Sequence, residues 1–281
     1  MTLKQFEHEF IAELSPLYDA QEARQLFYMT AEYVSGLSRA MIPLQAAQAV
    51  SVEQEGSYQN ILRELKEGRP VQHIFAEAWF YGLKFMVSSS VLIPRPETEE
   101  LVHWILESAA TRKFSSFLDV GTGSGCIAIT LKKKMPASHA NALDVSRDAL
   151  QVAQENASLN GTDINFIQID ILKYSSIDSY DLIVSNPPYI TPKERLEMHR
   201  NVLAYEPELA LFVTEEDPLI FYKSIADFAL SHLETSGYLF FEINEYLGKE
   251  MIEMLEGKGF IDIELRKDMQ GKDRMIRCQL K

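Results

Sequence analysis

Through the first seventy residues apolar positions recur at three- and four-residue steps, the signature of helices that bury one face. Phe6, Phe10, Leu14 and Leu17 define one such face. Ala23, Leu26, Phe27, Tyr33, Val34 and Leu37 define a second, after an N-cap residue at Asp19. Pro43 is placed to open a third helix, and Ile61, Leu62 and Leu65 mark another that Gly68 closes. The spacing predicts a small helical bundle over residues 1–72 with these Phe and Leu side chains as its core and no residue of obvious chemical role, which suits it to holding a partner or orienting the rest of the chain.

The pattern changes after residue 72. Aromatic and β-branched residues around Gly82 predict a β-hairpin linker over 73–95. Pro94-Arg95-Pro96-Glu97-Thr98-Glu99 then leads into an amphipathic helix carrying Leu101, Val102, Ile105 and Leu106. From residue 114 short apolar runs (117–120, 140–143, 164–169, 181–184, 238–243) alternate with helical patterns (127–134, 149–159, 219–233). Such alternation predicts βαβ units and a parallel sheet covered on both faces, an α/β domain over 96–281. The last two runs, 261–265 and 275–280, are separated by turn residues and are expected to pair as an antiparallel hairpin at one edge.

Composition narrows the function classes. With 46% hydrophobic and 24% charged residues the 281-residue chain is of globular type. Its net charge of −14 would repel a phosphate backbone, so no direct nucleic-acid partner is expected. Cys126 and Cys278 stand far apart without metal-ligand spacing, so neither a disulfide framework nor a metal is expected. The N-terminus lacks a basic-then-apolar leader and no apolar run would span a bilayer, so the expected setting is cytoplasmic, away from membranes.

Two segments carry chemistry. The first is Leu118-Asp119-Val120-Gly121-Thr122-Gly123-Ser124-Gly125, a glycine-rich turn from a strand into a helix, where free amides face a ligand. Cys126 stands where a dinucleotide fingerprint needs its third glycine, and the Gly-Lys-Ser/Thr of a phosphate-binding loop is absent. The remaining pattern resembles the Asp-x-Gly-x-Gly-x-Gly loop of S-adenosylmethionine-dependent methyltransferases. Asp144 ends the next strand, where a carboxylate can accept both ribose hydroxyls; Asp170 ends the third, placed for an adenine amino group with Ile171 against the ring. The second segment is Ser185-Asn186-Pro187-Pro188-Tyr189 at the end of the fourth strand. Two prolines stiffen it, so the Asn186 side-chain oxygen and the Pro187 carbonyl can both accept from one planar NH₂ group. An amide nitrogen is a poor nucleophile, and holding it in line while favouring its pyramidal form is what a methyltransferase acting on it must do. Tyr189 is expected to stack on that planar group.

With these motifs the chain resembles the HemK (PrmC-like) family, the bacterial release factor glutamine N5-methyltransferases. The resemblance runs over nearly the whole chain: Gly68-Arg69-Pro70 with Gln72-His73-Ile74, Val91 to Glu99, Leu118 to Ala128, Ser185 to Ile190, Glu206-Pro207 with Ala210-Leu211, and Gly271 to Arg274. It implies a helical substrate-recognition domain, a hairpin linker and a seven-stranded, Rossmann-like methyltransferase domain. The implied substrate is the Gly-Gly-Gln loop of class I peptide chain release factors, modified by a monomeric enzyme. Asn186, Pro187 and Tyr189 are the implied catalytic residues, and Pro188, Arg95 and Glu97 join them in holding the glutamine. Asp119, Gly121, Thr122, Gly123, Ser124, Gly125, Asp144, Asp170, Ile171 and Asn186 are the implied cofactor residues. The chain departs from the family's usual Gly at Ala76 and Pro218 and from its Gly and Gln at Asn244 and Leu247, all outside the two core motifs. Three alternatives stay open: a glutamine methyltransferase of a ribosomal protein, a nucleic-acid amino-methyltransferase, which the acidity disfavours, and a non-catalytic binder of the same fold.

Overall fold

A computed structural model describes residues 1–173, 178–196 and 200–281, which form two compact units. The first comprises Met1–Ala76 and, from far along the chain, Arg200–Tyr205. Helix α1 (Leu3–Leu14) starts at a capping box in which Thr2 and Gln5 satisfy each other's backbone amides. It stops before Pro16, so Leu17 does not continue its apolar face and is 52% exposed, against the expectation. Helix α2 (Ala20–Ser35) is capped as expected by Asp19, which accepts from the amides of Gln21 and Glu22 at 2.8 Å, and it ends at Gly36 with φ +68°. Leu37 therefore lies beyond it, and Tyr33 remains half exposed while its ring stacks on Phe75. Pro43 opens only a 3₁₀ turn, Pro43–Gln45. Helix α3 (Val52–Lys66) closes near Gly68, and a short helix α4 (Val71–Phe75) follows that periodicity did not reveal. Phe6, Phe10, Phe27, Tyr58 and Leu65 make the core of this unit. The Arg200–Tyr205 helix joins it through Asn201, whose Nδ2 donates to the Tyr18 hydroxyl at 3.5 Å, and through the Tyr205 hydroxyl, which donates to the Glu67 carbonyl at 3.3 Å.

The second unit begins with the expected hairpin, strands β1 (Glu77–Phe80) and β2 (Leu83–Met86) paired antiparallel about Tyr81 and Gly82. In order there follow α5 (Pro96–Thr111), β3 (Ser116–Val120), α6 (Cys126–Lys134), β4 (His139–Asp144), α7 (Arg147–Asn160), β5 (Asn165–Gln168) and β6 (Tyr180–Ser185). After α8, the Arg200–Tyr205 helix of the first unit, come α9 (Glu208–Leu211), α10 (Ile220–His232), β7 (Leu233–Glu242), α11 (Gly248–Gly257), β8 (Ile261–Lys267) and β9 (Asp273–Gln279). Seven strands form one sheet in the order β5-β4-β3-β6-β7-β9-β8. The first five run parallel, and β9 lies antiparallel between β7 and β8, so the expected terminal hairpin supplies one edge. The continuous apolar runs are explained by burial on both faces: Phe240 packs with Trp104 of α5 on one side, while its neighbour Phe241 packs against Tyr222 of α10 on the other. Chain order reverses between β3, β4 and β6, and ligands bind at the strands' carboxyl ends at such a switch point. Among the described residues no helix is long and apolar enough to cross a membrane.

Candidate functional site

A solvent-connected cleft opens at that switch point. One wall is the loop from β3 to α6. The amides of Gly121 and Thr122 both donate to the Leu143 carbonyl at the end of β4, at 2.9 and 3.0 Å, and Gly123 donates to Asp144 Oδ2 at 2.9 Å. The loop thus takes its shape from the neighbouring strand. Gly121, Thr122, Gly123 and Ser124 line the cleft. Gly125 does not; at φ +80° it starts α6, and a Cβ there would lie 2.8 Å from Ile129 Cδ1 and 3.2 Å from Ala153 Cβ. It packs α6 on α7 and stands off the cleft wall, where direct cofactor contact was expected. Asn156 of α7 braces the same region, donating to the Ser124 carbonyl and pairing with both backbone groups of Met86 in β2.

Asp119 also differs from expectation. It is fully buried, absent from the cleft wall, and its Oδ2 accepts from the Thr122 hydroxyl at 2.7 Å and the Ala128 amide at 3.2 Å. It ties loop to helix from beneath, and burial pushes its carboxyl up to about 7. Asp144 does line the cleft. Its Oδ2 holds Gly123 and its Oδ1 accepts from the Ser146 amide at 2.9 Å. An ionised carboxylate offers about four acceptor positions, so two remain for a vicinal diol. Burial raises its pKa, opposed by those backbone amides. Asp170 lies past the end of β5 rather than on it, accepts from the Leu172 amide at 3.0 Å, and lines the cleft between Ile169 and Ile171.

The opposite wall is the turn after β6. Ser185 anchors it by donating to the Val120 carbonyl at 2.6 Å, and Asn186, Pro187 and Pro188 line the cleft. Asn186 Nδ2 donates to Thr98 Oγ1 at 3.2 Å. Tyr189 does not line the cleft; its ring packs with the apolar cluster of Leu118 and Ile183, and its hydroxyl donates to Glu242 Oε1 at 3.3 Å. In this position Tyr189 supports the turn from behind, away from the cleft wall where stacking on an acceptor was expected. Arg95 lines the cleft and is ion-paired to the buried Glu206, which also accepts from the Ile93 amide at 3.1 Å. Glu97 points elsewhere, towards Gln270 of the β8–β9 loop, and is not part of the cleft wall.

Three residues that hold this wall in place escaped the sequence reading as site residues. Thr98 is 3% exposed in the first turn of α5; Glu242, 2% exposed, ends β7 and accepts from Thr98 Oγ1 at 2.6 Å. Burial pushes the Glu242 carboxyl up to about 7, against the Thr98 hydrogen bond and the charge of Arg274. A lone carboxylate closing the apolar run Tyr238–Phe241 was the signal available. Asn244, where the family usually has Gly, donates to the Tyr189 carbonyl at 3.2 Å and to Glu194 Oε1 at 2.7 Å, so this departure touches the core turn after all.

The donor set fits an adenosyl ligand: a half-spare carboxylate for the ribose, a glycine loop, and apolar Leu143, Ile169 and Ile171 for a flat ring. Sheet order, glycine loop and the Asn-Pro-Pro-Tyr turn together place the chain in the class of S-adenosylmethionine-dependent methyltransferases. Residues 99–208 match the Methyltransferase small domain and residues 8–75 the PrmC N-terminal domain. The chain is 44% identical, over all of both chains, to the release factor glutamine methyltransferase of Flavobacterium psychrophilum. It is 41% identical to that of Bacteroides thetaiotaomicron over 94% of this chain and 95% of the relative. The fold is also that of the Thermus thermophilus 16S rRNA N2 G1207 methyltransferase RsmC solved with AdoMet and guanosine, at 16% identity and TM-score 0.53, covering 73% of this chain and 50% of that one. The chain belongs to the release factor glutamine methyltransferase family, with S-adenosylmethionine as its methyl donor.

Proposed function

We propose that this protein methylates the side-chain amide nitrogen of the glutamine in the Gly-Gly-Gln loop of class I release factors. The observation that carries the reading is Asn186 on the cleft wall with its Nδ2 held by Thr98, which leaves Oδ1 as an acceptor across the cleft from Asp144. S-adenosylmethionine supplies an electrophilic methyl group when bound. Asp144 accepts its ribose hydroxyls, while Asp170 and Ile171 meet the adenine. Asn186 Oδ1 and the Pro187 carbonyl accept the two hydrogens of the substrate amide, aim its nitrogen at the methyl carbon, and interact more strongly as that nitrogen pyramidalises. Pro188 and the Arg95–Glu206 pair shape the entrance for the loop. No side chain has to remove a proton beforehand, since the nitrogen loses one to water after the methyl bond has formed. The net charge of −14 favours a protein acceptor over a nucleic acid, and the helical unit supplies recognition of the whole factor by a monomeric enzyme in the cytoplasm.

The test is mass spectrometry of tryptic peptides from a release factor incubated with the protein and S-adenosylmethionine. One added methyl on the loop glutamine is expected; an unmodified glutamine, or a methyl on another residue, overturns the assignment.

A further inference from the structure

Asn186 has two nearly isosteric ends, an oxygen that can accept from a substrate amide and a nitrogen that would repel its hydrogens, so shape alone does not decide which faces the cleft. What lies behind it does. Asn186 Nδ2 is 3.2 Å from Thr98 Oγ1, and Thr98 Oγ1 is 2.6 Å from Glu242 Oε2. The Tyr189 hydroxyl reaches the other oxygen, Oε1, at 3.3 Å. Thr98 and Glu242 are both buried, and the strand end that carries Glu242 is fixed by the Tyr222 hydroxyl on its carbonyl at 3.2 Å.

In its ionised form, which the hydroxyls of Thr98 and Tyr189 and the charge of Arg274 favour against burial, Glu242 can only accept. The Thr98 hydroxyl, with one proton, must therefore spend it on Glu242, and its oxygen is left to accept from its other neighbour. Only the nitrogen end of Asn186 can donate there, which turns Oδ1 the other way. We propose that Thr98 and Glu242 are positioning residues for the acceptor amide, a buried carboxylate setting the direction of a hydrogen-bond chain that ends on Asn186 and holds its oxygen towards the cleft. The same carboxylate takes the Tyr189 hydroxyl, so both ends of the Asn186–Tyr189 turn are referred to one group on a different strand. The inference rests on the amide-methylation reading above for its purpose, and on the hydrogen-bond geometry for its existence.

The experiment uses the full chain with S-adenosylmethionine and a whole release factor, and reads single-turnover methyl transfer in Thr98→Val, Thr98→Ser, Asn186→Ala and the Thr98→Val/Asn186→Ala pair. Thr98→Val is expected to slow transfer about tenfold or more at unchanged cofactor affinity, and Thr98→Ser, which keeps the hydroxyl, to stay within about threefold of wild type. In the Asn186→Ala background Thr98→Val should cost nothing further, because the residue it orients is gone. Wild-type transfer by Thr98→Val, or an equal loss with and without Asn186, overturns the proposal. A second readout, hydrogen exchange at the Asn186 side-chain amide followed by NMR, does not depend on the substrate. Slow exchange in wild type and Thr98→Ser that becomes fast in Thr98→Val supports the chain, and equal exchange in all three overturns it. Should Thr98→Val fail to fold, Thr98→Ala, which also removes the hydroxyl, takes its place with the same expected slowing and faster exchange. If the wild-type protein transfers no methyl to the factor, the proposed function fails while the exchange measurement still decides this inference.

Discussion

Asp119, next to last in β3, and Asp144, last in β4, flank the same glycine loop on neighbouring parallel strands, and a sequence offers no way to tell their duties apart. Their partners do: Asp119 is sealed beneath the loop on Thr122 and Ala128, whereas Asp144 spends one acceptor position of each oxygen on backbone and keeps the rest for the cleft. Asp144→Ala is expected to weaken S-adenosylmethionine binding by roughly 1.5–3 kcal/mol, the worth of hydrogen bonds to a charged group, read by calorimetry. Unchanged affinity would remove Asp144 from the ribose site. That Asn186 and Asp144 line the cleft was legible because residues at strand ends of an α/β pattern stand at the ligand edge of the sheet. Thr98 and Glu242 were not, because each acts through a neighbour more than 80 residues away, |i−j| being 88 for Asn186–Thr98 and 144 for Thr98–Glu242.

Helices that announce themselves by caps and a long apolar face were read well: Asp19 and the stripe of Ala23, Leu26 and Phe27 were enough for α2. Shorter elements were lost. The five-residue α4 has too little length to show a period, and α1 ends at Leu14 although the apolar spacing runs on to Leu17 past Pro16. Helix α4 ends at Ala76 with φ +54°, in the left-handed conformation where the family usually has Gly. A Cβ in that conformation costs roughly 1–2 kcal/mol, partly offset by the greater entropy of an unfolded glycine. Ala76→Gly is therefore expected to raise stability by about 1 kcal/mol, seen as a higher urea midpoint at unchanged slope. A lower midpoint would mean that packing of the Ala76 methyl outweighs the backbone strain.

Across the whole molecule the buried carboxyls of Asp119 and Glu242 link stability to pH. Both titrate near 7 when folded, against ordinary values of 3.8 and 4.5, so between these values the folded state binds more protons than the unfolded one. Their contribution is fullest below about 4 and is lost as pH rises through about 7, at up to about 1.4 kcal/mol per pH unit for each group. Relative to wild type, Asp119→Asn should show a flatter decline of the thermal midpoint from pH ~4 to pH ~7; parallel curves would show that Asp119 does not titrate in that window. The sequence by itself determined the α/β class, the helical N-terminal part, the terminal hairpin and the two chemical turns, because periodicity, glycine and proline act within a few residues of where they stand. Tertiary structure alone decided the strand order and the assignment of Arg200–Tyr205 to the first unit through Tyr18 and Glu67. It also decided which acids reach the cleft and which only brace it. Those outcomes depend on which distant groups become neighbours once the apolar faces are buried, and a hydrogen-bond partner has no period along the chain.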